Sequence, residues 1–351
     1  MIKKYAIKAL ILLLSIAMFY WIWQKTDWHT TLNTLKNASL FWIIMGIVPM
    51  LLAHYLRAAR WNQLTQPLGY TLNKRRSFYA VLSGYLVNVA TSRGGEVARS
   101  AMAAKSEKAP VETLIGTVVV ERLVDLIMLM LMAVLSLFLQ YSQMSNFLLK
   151  PLKPLLGKIR LFPTWTLILT GLISISLGVM LLLWARKKWI LPLLQTNQNK
   201  ETEETTGILG TVKKFTQAFK TLFILEKPIS FWLMSIGIWL GYWLGMFCQT
   251  QAIPATQMGT IPMALAFMMF SAFGIIVPLP AGAGVWAAIA FGLEYVYGFS
   301  GADSQTFGMF SAAYNNLLMI IFGGIAYILY ILEIQKIEKS TANSINNQLQ
   351  D

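Results

Sequence analysis

Long apolar runs separated by short polar links organise this chain of 351 residues. They cover 5–23, 39–56, 77–91, 113–139, 165–185, 229–253, 261–277, 284–298 and 305–332. A helix that crosses a bilayer takes about 20 apolar residues at about 1.5 Å each. On that measure 5–23, 39–56, 113–139, 165–185, 229–253 and 305–332 are full crossings, and the other three runs are short or broken. The pattern predicts an all-α polytopic membrane protein: six full transmembrane helices plus broken or re-entrant helices at 77–110 and 261–298. The predicted organisation is a single bundle over 1–339, with a cytoplasmic loop at 186–228, and a polar tail at 340–351 that frays.

Composition agrees. Hydrophobic residues make up 56% of the chain and charged ones 13%, against about 25% charged in soluble domains. The first run follows Lys3, Lys4 and Lys8 as a signal peptide would, but it is long and ends in bulky aromatics, Tyr20, Trp21 and Trp23, so it reads as an uncleaved first helix. The formal charge of +14 could point to nucleic acid, yet the placement of the positives explains it. With the N-terminus inside and full crossings alternating, 22 of the 29 Lys and Arg fall inside, six outside, and Arg122 lies within a helix. That asymmetry predicts a multi-pass protein of the inner (cytoplasmic) membrane with both termini cytoplasmic. The single Cys248 allows no intramolecular disulfide, and His29 and His54 lack ligand spacing, so neither metal nor cofactor is expected. Residues 207–227 place Ile208, Val212, Phe215, Phe219 and Leu222 to one side of a basic helix, which suits either the inner membrane surface or packing on the bundle.

Against this background the few charges in or beside apolar runs stand out, because an ion at bilayer depth costs several kcal/mol unless it is paired or meets a polar cavity. The first group is Asn88, Arg93, Gly94, Gly95, Glu96 and Arg99. Two glycines break a helix, and a new helix starting there would offer free N–H groups to an anion. Arg93 and Arg99 add guanidinium forks suited to phosphate, with Glu96 able to pair with either. A cytoplasmic turn with solvated charges is the plainer alternative. The second group is Glu121, Arg122 and Asp125: the two acids share a helix face at i, i+4, and Arg122 meets Asp125 at i, i+3. It can serve transport directly or knit two helices together. The third is Pro278, Pro280, Gly282 and Gly284, where no helix continues; unwound backbone at membrane depth must be buried or line a cavity, unless this is an extramembrane turn. The fourth, Arg57, Arg60 and Trp61, reads as snorkelling arginines beside an interfacial aromatic.

In this order the motifs resemble the lysylphosphatidylglycerol synthase/flippase transmembrane-domain family, also called flippase-like, over nearly the whole chain. The resemblance rests on Arg57-x-x-Arg60-Trp61, Asn88 with Arg93-Gly-Gly-Glu96-x-x-Arg99, Glu121-Arg122-x-x-Asp125, and the Pro-x-Pro-x-Gly-x-Gly break. It implies a bundle with re-entrant or broken helices that moves lipids between leaflets. It identifies a stand-alone member: 351 residues leave no room for the soluble aminoacyl-transferase domain of the best-known members, so synthase activity is not expected. The chain departs from the family at Thr91, where Pro is usual, at Ala287, where Glu is usual, and at Asn315, where Arg follows Tyr. Joint loss of that Glu and Arg suggests that they form a pair in other members, since losing one alone would strand a buried ion.

The expected function is therefore translocation of a phospholipid or lipid-linked headgroup. Arg93, Arg99 and the helix start at Gly94 and Gly95 would hold phosphate, while Glu121 and Asp125 balance charge. The expected partners are lipids with anionic or zwitterionic headgroups, with a lipid-synthesis enzyme and a second copy of the chain as further candidates. No ATP-binding G-x-x-x-x-G-K-[ST] is present. The alternatives are a lipid-headgroup transferase using Glu121 or Asp125 as base, and a cell-envelope scaffold.

Overall fold

The computed structural model describes residues 33–34, 36–91, 94–141, 143, 221–276 and 282–348. Within these, every regular element is helical. The helices are α1 (Leu40–Thr65), α2 (Lys74–Ala90), α3 (Gly95–Glu107), α4 (Val111–Leu139), α5 (Pro228–Ala252), α6 (Ile261–Ile276), α7 (Ala283–Phe291, continued by a π turn over Gly292–Val296) and α8 (Gly301–Gln348). Four of them, α1, α4, α5 and α8, are long and apolar enough to span a bilayer, and α6 and α7 are shorter apolar helices. The predicted crossings at 5–23 and 165–185 lie outside the described residues, as does most of the predicted amphipathic helix. α8 runs on without a break through the start of the predicted polar tail, to Gln348. No glycine or proline follows Gly324 to stop it.

Small residues set the helix spacing. α1 and α5 are antiparallel and meet through Pro49, Ala53 and Gly241, where a Cβ on Gly241 would stand 2.7 Å from the Pro49 carbonyl. Close backbone approach of this kind compensates for the weak hydrophobic drive between helices in lipid. At one end of the pair the Ser39 N–H donates to the Ala252 carbonyl at 2.8 Å.

The two segments predicted to be broken are helical hairpins. In the first, α2 and α3 fold back on each other so that Gly95 lies against the Gly84 backbone, leaving no room for a side chain on Gly95. At its base Arg76 Nε and Nη2 donate to the two oxygens of Glu107 at 2.8 and 3.0 Å. In the second, α6 and α7 close in the same way at Gly274 and Gly284. Its base is bridged by Gln140, which donates to the Pro262 carbonyl and accepts from the Tyr297 hydroxyl.

Both hairpins pack along α8, from opposite ends. The base of the first lies near Glu333, 3.6 Å from Arg76, and the base of the second lies near the start of α8. Towards their tips, Leu86 of α2 touches Gly323, and Gly282 touches Ala312 and Asn316. Seven residues of α8, about 10 Å, separate these two contacts. The broken helices thus point toward each other inside the bundle.

Candidate functional site

Between the first hairpin and the spanning helices lies a compact ionic cluster. α1 contributes Arg57 and Arg60, α3 contributes Arg99, and α4 contributes Glu121 and Asp125. Arg57 Nη1 donates to Asp125 Oδ2 at 2.8 Å and also to Glu121 Oε1. Arg60 Nη2 donates to Asp125 Oδ1 at 2.7 Å and lies 3.3 Å from Glu121. Arg99 Nη2 donates to Glu121 Oε2 at 2.9 Å. Arg60 and Glu121 are fully buried, and Arg57 and Arg99 are each 3% exposed. These ions are affordable at such depth because each has partners of opposite sign.

A second layer fixes the guanidiniums. Arg57 Nη2 donates to the Tyr242 hydroxyl at 3.3 Å, and Arg60 Nη1 donates to Ser235 Oγ at 3.1 Å. The Arg99 guanidinium stacks over the Trp61 ring at 5.0 Å, and the Trp61 indole N–H donates to Thr117 Oγ1 at 2.9 Å. Beside Arg57, the buried ring of His54 packs at 4.5 Å from Tyr85, and neither of its nitrogens has a hydrogen-bond partner.

This arrangement corrects the reading of Arg57, Arg60 and Trp61 as snorkelling and interfacial. All three are buried, because helix α1 continues past 56 and turns Arg57 and Arg60 onto the α4 carboxylates and Trp61 onto Thr117. Of the two partners open to Glu96, Arg93 lies outside the described residues. Glu96 does not pair with Arg99; it lies 3.4 Å from Arg122, while Arg99 reaches across to Glu121. The predicted i, i+3 contact of Arg122 with Asp125 is present at 3.5 Å. Arg93, Pro278 and Pro280 lie outside the described residues.

The helix start at Gly94 and Gly95 is occupied from within the chain. Gly95 N–H donates to Asn88 Oδ1 at 2.8 Å, and Gly94 N–H donates to Thr91 Oγ1 at 3.2 Å. Thr91 in turn donates its hydroxyl to the Val87 carbonyl at 2.7 Å. Where the family resemblance would place proline, the threonine therefore caps the end of α2 and steadies the entry to α3.

The second hairpin is lined by neutral polar groups. Ser311 Oγ donates to Gln249 Oε1 at 2.6 Å, and Gln249 Nε2 donates to Asn315 Oδ1 at 3.4 Å. Gly282 has φ +73°, a left-handed conformation that favours glycine, and it caps α7. Gly284 packs against Gly274, and Ala287 packs in a small apolar cluster with Trp286, Ala290 and Ala312. Neither Glu nor Arg stands at 287 and 315; Asn315 joins an amide network with Gln249, and Ala287 lies in the apolar cluster.

Several of these residues escaped the sequence reading. Ser235, Tyr242 and Gln249 recur every seven residues along an otherwise apolar helix, a polar stripe that was legible as one face of α5. His54, three residues before Arg57, gave no such signal.

A helical membrane protein with two inward-pointing broken hairpins and a buried ionic cluster is the class defined by this fold and site. The model of the lysylphosphatidylglycerol synthase TM region matches residues 7–323, and the chain belongs to that family. It is similar to a UPF0104 membrane protein of Methanothermobacter thermautotrophicus, with 22% identity over 72% of this chain and 74% of that one. It is also 32% identical to a UPF0104 membrane protein of Methanocaldococcus jannaschii over 97 residues, which span 27% of this chain and 29% of the relative's length.

Proposed function

We propose that this protein translocates the headgroup of a phospholipid or lipid-linked intermediate between leaflets, as a transporter rather than an enzyme. The observation that carries the reading is the ionic cluster of Arg57, Arg60, Arg99, Glu121 and Asp125 beside the tip of a broken hairpin. Guanidiniums held by carboxylates can exchange those partners for a phosphate diester of like charge and geometry. In the conformation described, the carboxylates occupy them and the cluster is closed. Opening it requires the α2–α3 hairpin to move relative to α1 and α4, which the glycine contact at Gly84 and Gly95 allows as a rigid unit. Broken helices that converge within a bundle build many transporter sites.

On this reading the acyl tails stay in lipid while the headgroup passes between the hairpin tips, and anionic or zwitterionic lipids are the cargo. The protein sits in the cytoplasmic membrane with both termini inside, and a lipid-synthesis enzyme or a second copy of the chain are candidate partners. The test is reconstitution in liposomes with leaflet-quenchable lipid analogues of several headgroups. Acceleration over empty vesicles that is lost in Arg99→Gln supports the proposal. Rates equal to empty vesicles for every headgroup reject it.

A further inference from the structure

Arg122 is the arginine that the buried cluster does not absorb. Its side chain is 43% exposed, whereas Arg57, Arg60 and Arg99 are enclosed. The surface around it is apolar: Val119, Leu123 and Leu126 of α4 are exposed on the same face, and Val97 of α3 lies next to Glu96. Arg122 is eleven residues, about 17 Å, along α4 from Val111. A guanidinium in such surroundings is costly unless an anion meets it.

The carboxylates nearby do not meet it well. Glu96 and Asp125 approach to 3.4 and 3.5 Å, beyond the usual range of charge-assisted hydrogen bonds, about 2.7–2.9 Å. Asp125 is already held at 2.8 and 2.7 Å by Arg57 and Arg60. Among the described residues, the guanidiniums of Arg57, Arg60, Arg99 and Arg122 face the carboxylates of Glu96, Glu121 and Asp125, so one positive charge is in excess. Meanwhile Glu96 Oε2 is buried with no hydrogen-bond partner. One group lacks an acceptor, and its neighbour lacks a donor.

We infer that Arg122 and Glu96 form a headgroup site, open to the bilayer, for a phospholipid whose headgroup carries a hydrogen-bond donor. The Arg122 fork takes the phosphodiester oxygens. The Glu96 carboxylate, after a small rotation, accepts from an ammonium or hydroxyl group such as that of ethanolamine or glycerol. Choline, with no donor, satisfies only Arg122. The acyl chains lie on Val97, Val119, Leu123 and Leu126. This deepens the proposed function by naming the lipid class and rests on its reading of the chain as a lipid-handling protein. Binding here does not require translocation, so the two can fail separately.

The test uses the full chain with a photoactivatable diazirine amino acid at Leu126. It is placed in nanodiscs of equimolar phosphatidylethanolamine, phosphatidylcholine and digalactosyldiacylglycerol, and lipid adducts are counted by mass spectrometry. The expected result is about fivefold enrichment of phosphatidylethanolamine over the galactolipid, with phosphatidylcholine between them, the scale of one or two polar contacts. Arg122→Gln should remove the advantage of the phospholipids over the galactolipid, leaving only a preference for headgroups that carry a donor, while Arg122→Lys, which keeps the charge, should retain the preference for phosphate. Glu96→Leu should abolish the distinction between ethanolamine and choline while leaving both phospholipids ahead of the galactolipid. Equal capture of the three lipids, or an unchanged pattern in Arg122→Gln, overturns the site. Loss of scrambling with this pattern intact would instead count against the proposed function alone.

Discussion

The two hairpins share a backbone plan and differ in what holds them. In both, a glycine late in the first helix meets a glycine at the start of the second, Gly84 with Gly95 and Gly274 with Gly284. In both, a side chain bridges the base. The α2–α3 hairpin is then tied to its neighbours by ion pairs of Arg99 with Glu121, Glu96 with Arg122 and Arg76 with Glu333, whereas the α6–α7 hairpin lies among amides, hydroxyls and aromatic rings. Close glycine packing fixes how a helix can fold back within a bundle. It leaves the chemistry of the walls free to be ionic on one side and neutral on the other. The ionic side has more to lose from a single substitution, because a buried ion without its partner costs more than an unmade neutral hydrogen bond.

The largest expected effect tests that asymmetry directly. Glu121→Ala removes the carboxylate shared by Arg57, Arg60 and Arg99 and should destabilise the folded protein by about 3–5 kcal/mol, read as a fall in unfolding temperature in detergent. A change no larger than that of a surface substitution would break the comparison. Next come the glycine contacts: Gly95→Leu and Gly274→Leu should each cost about 1–3 kcal/mol through overpacking. Similar losses at both positions would sharpen the claim of a common backbone plan; tolerance at one of them would end it.

A smaller effect is expected on the neutral side, where Ser311→Ala should cost about 1 kcal/mol, leaving the Gln249 carbonyl short of a donor. Asn315→Arg should be worse than Ser311→Ala, and adding Ala287→Glu should recover part of the loss, because each ion alone lacks a partner of opposite sign. No recovery in the double variant would show that the α7–α8 packing no longer accommodates such a pair. The smallest effect belongs to Lys105→Ala, whose partner Glu338 is 3.6 Å away and well exposed; surface pairs of this kind contribute little. Its unfolding temperature should match that of the unaltered protein.

Much of this was legible in the residues. The spanning helices α1, α4, α5 and α8 follow from apolar length, and the hairpins follow from runs too short to cross, interrupted at Gly94–Gly95 and 278–284. Glu121 and Asp125 declared themselves as acids inside an apolar helix. Arg57 and Arg60 did not, because an arginine near a helix end reads the same whether it reaches for the interface or for a buried carboxylate. Which outcome holds depends on how far α1 continues and on what α4 presents beside it. The stripe of Ser235, Tyr242 and Gln249 was legible as one face of α5, but that this face meets the α1 arginines was not, since the spacing says nothing of what lies across from it.

By itself the sequence determined the class of molecule: apolar runs of bilayer length cannot be buried in a soluble domain of this size, and buried charges had to be paired somewhere. Only the tertiary structure decided the pairing. Arg99 joined Glu121 while Glu96 went to Arg122, and α1 supplied the remaining guanidiniums from 64 residues away. Periodicity fixes which residues share a helix face, whereas the partner across the interface is set by packing between helices, which local sequence does not encode.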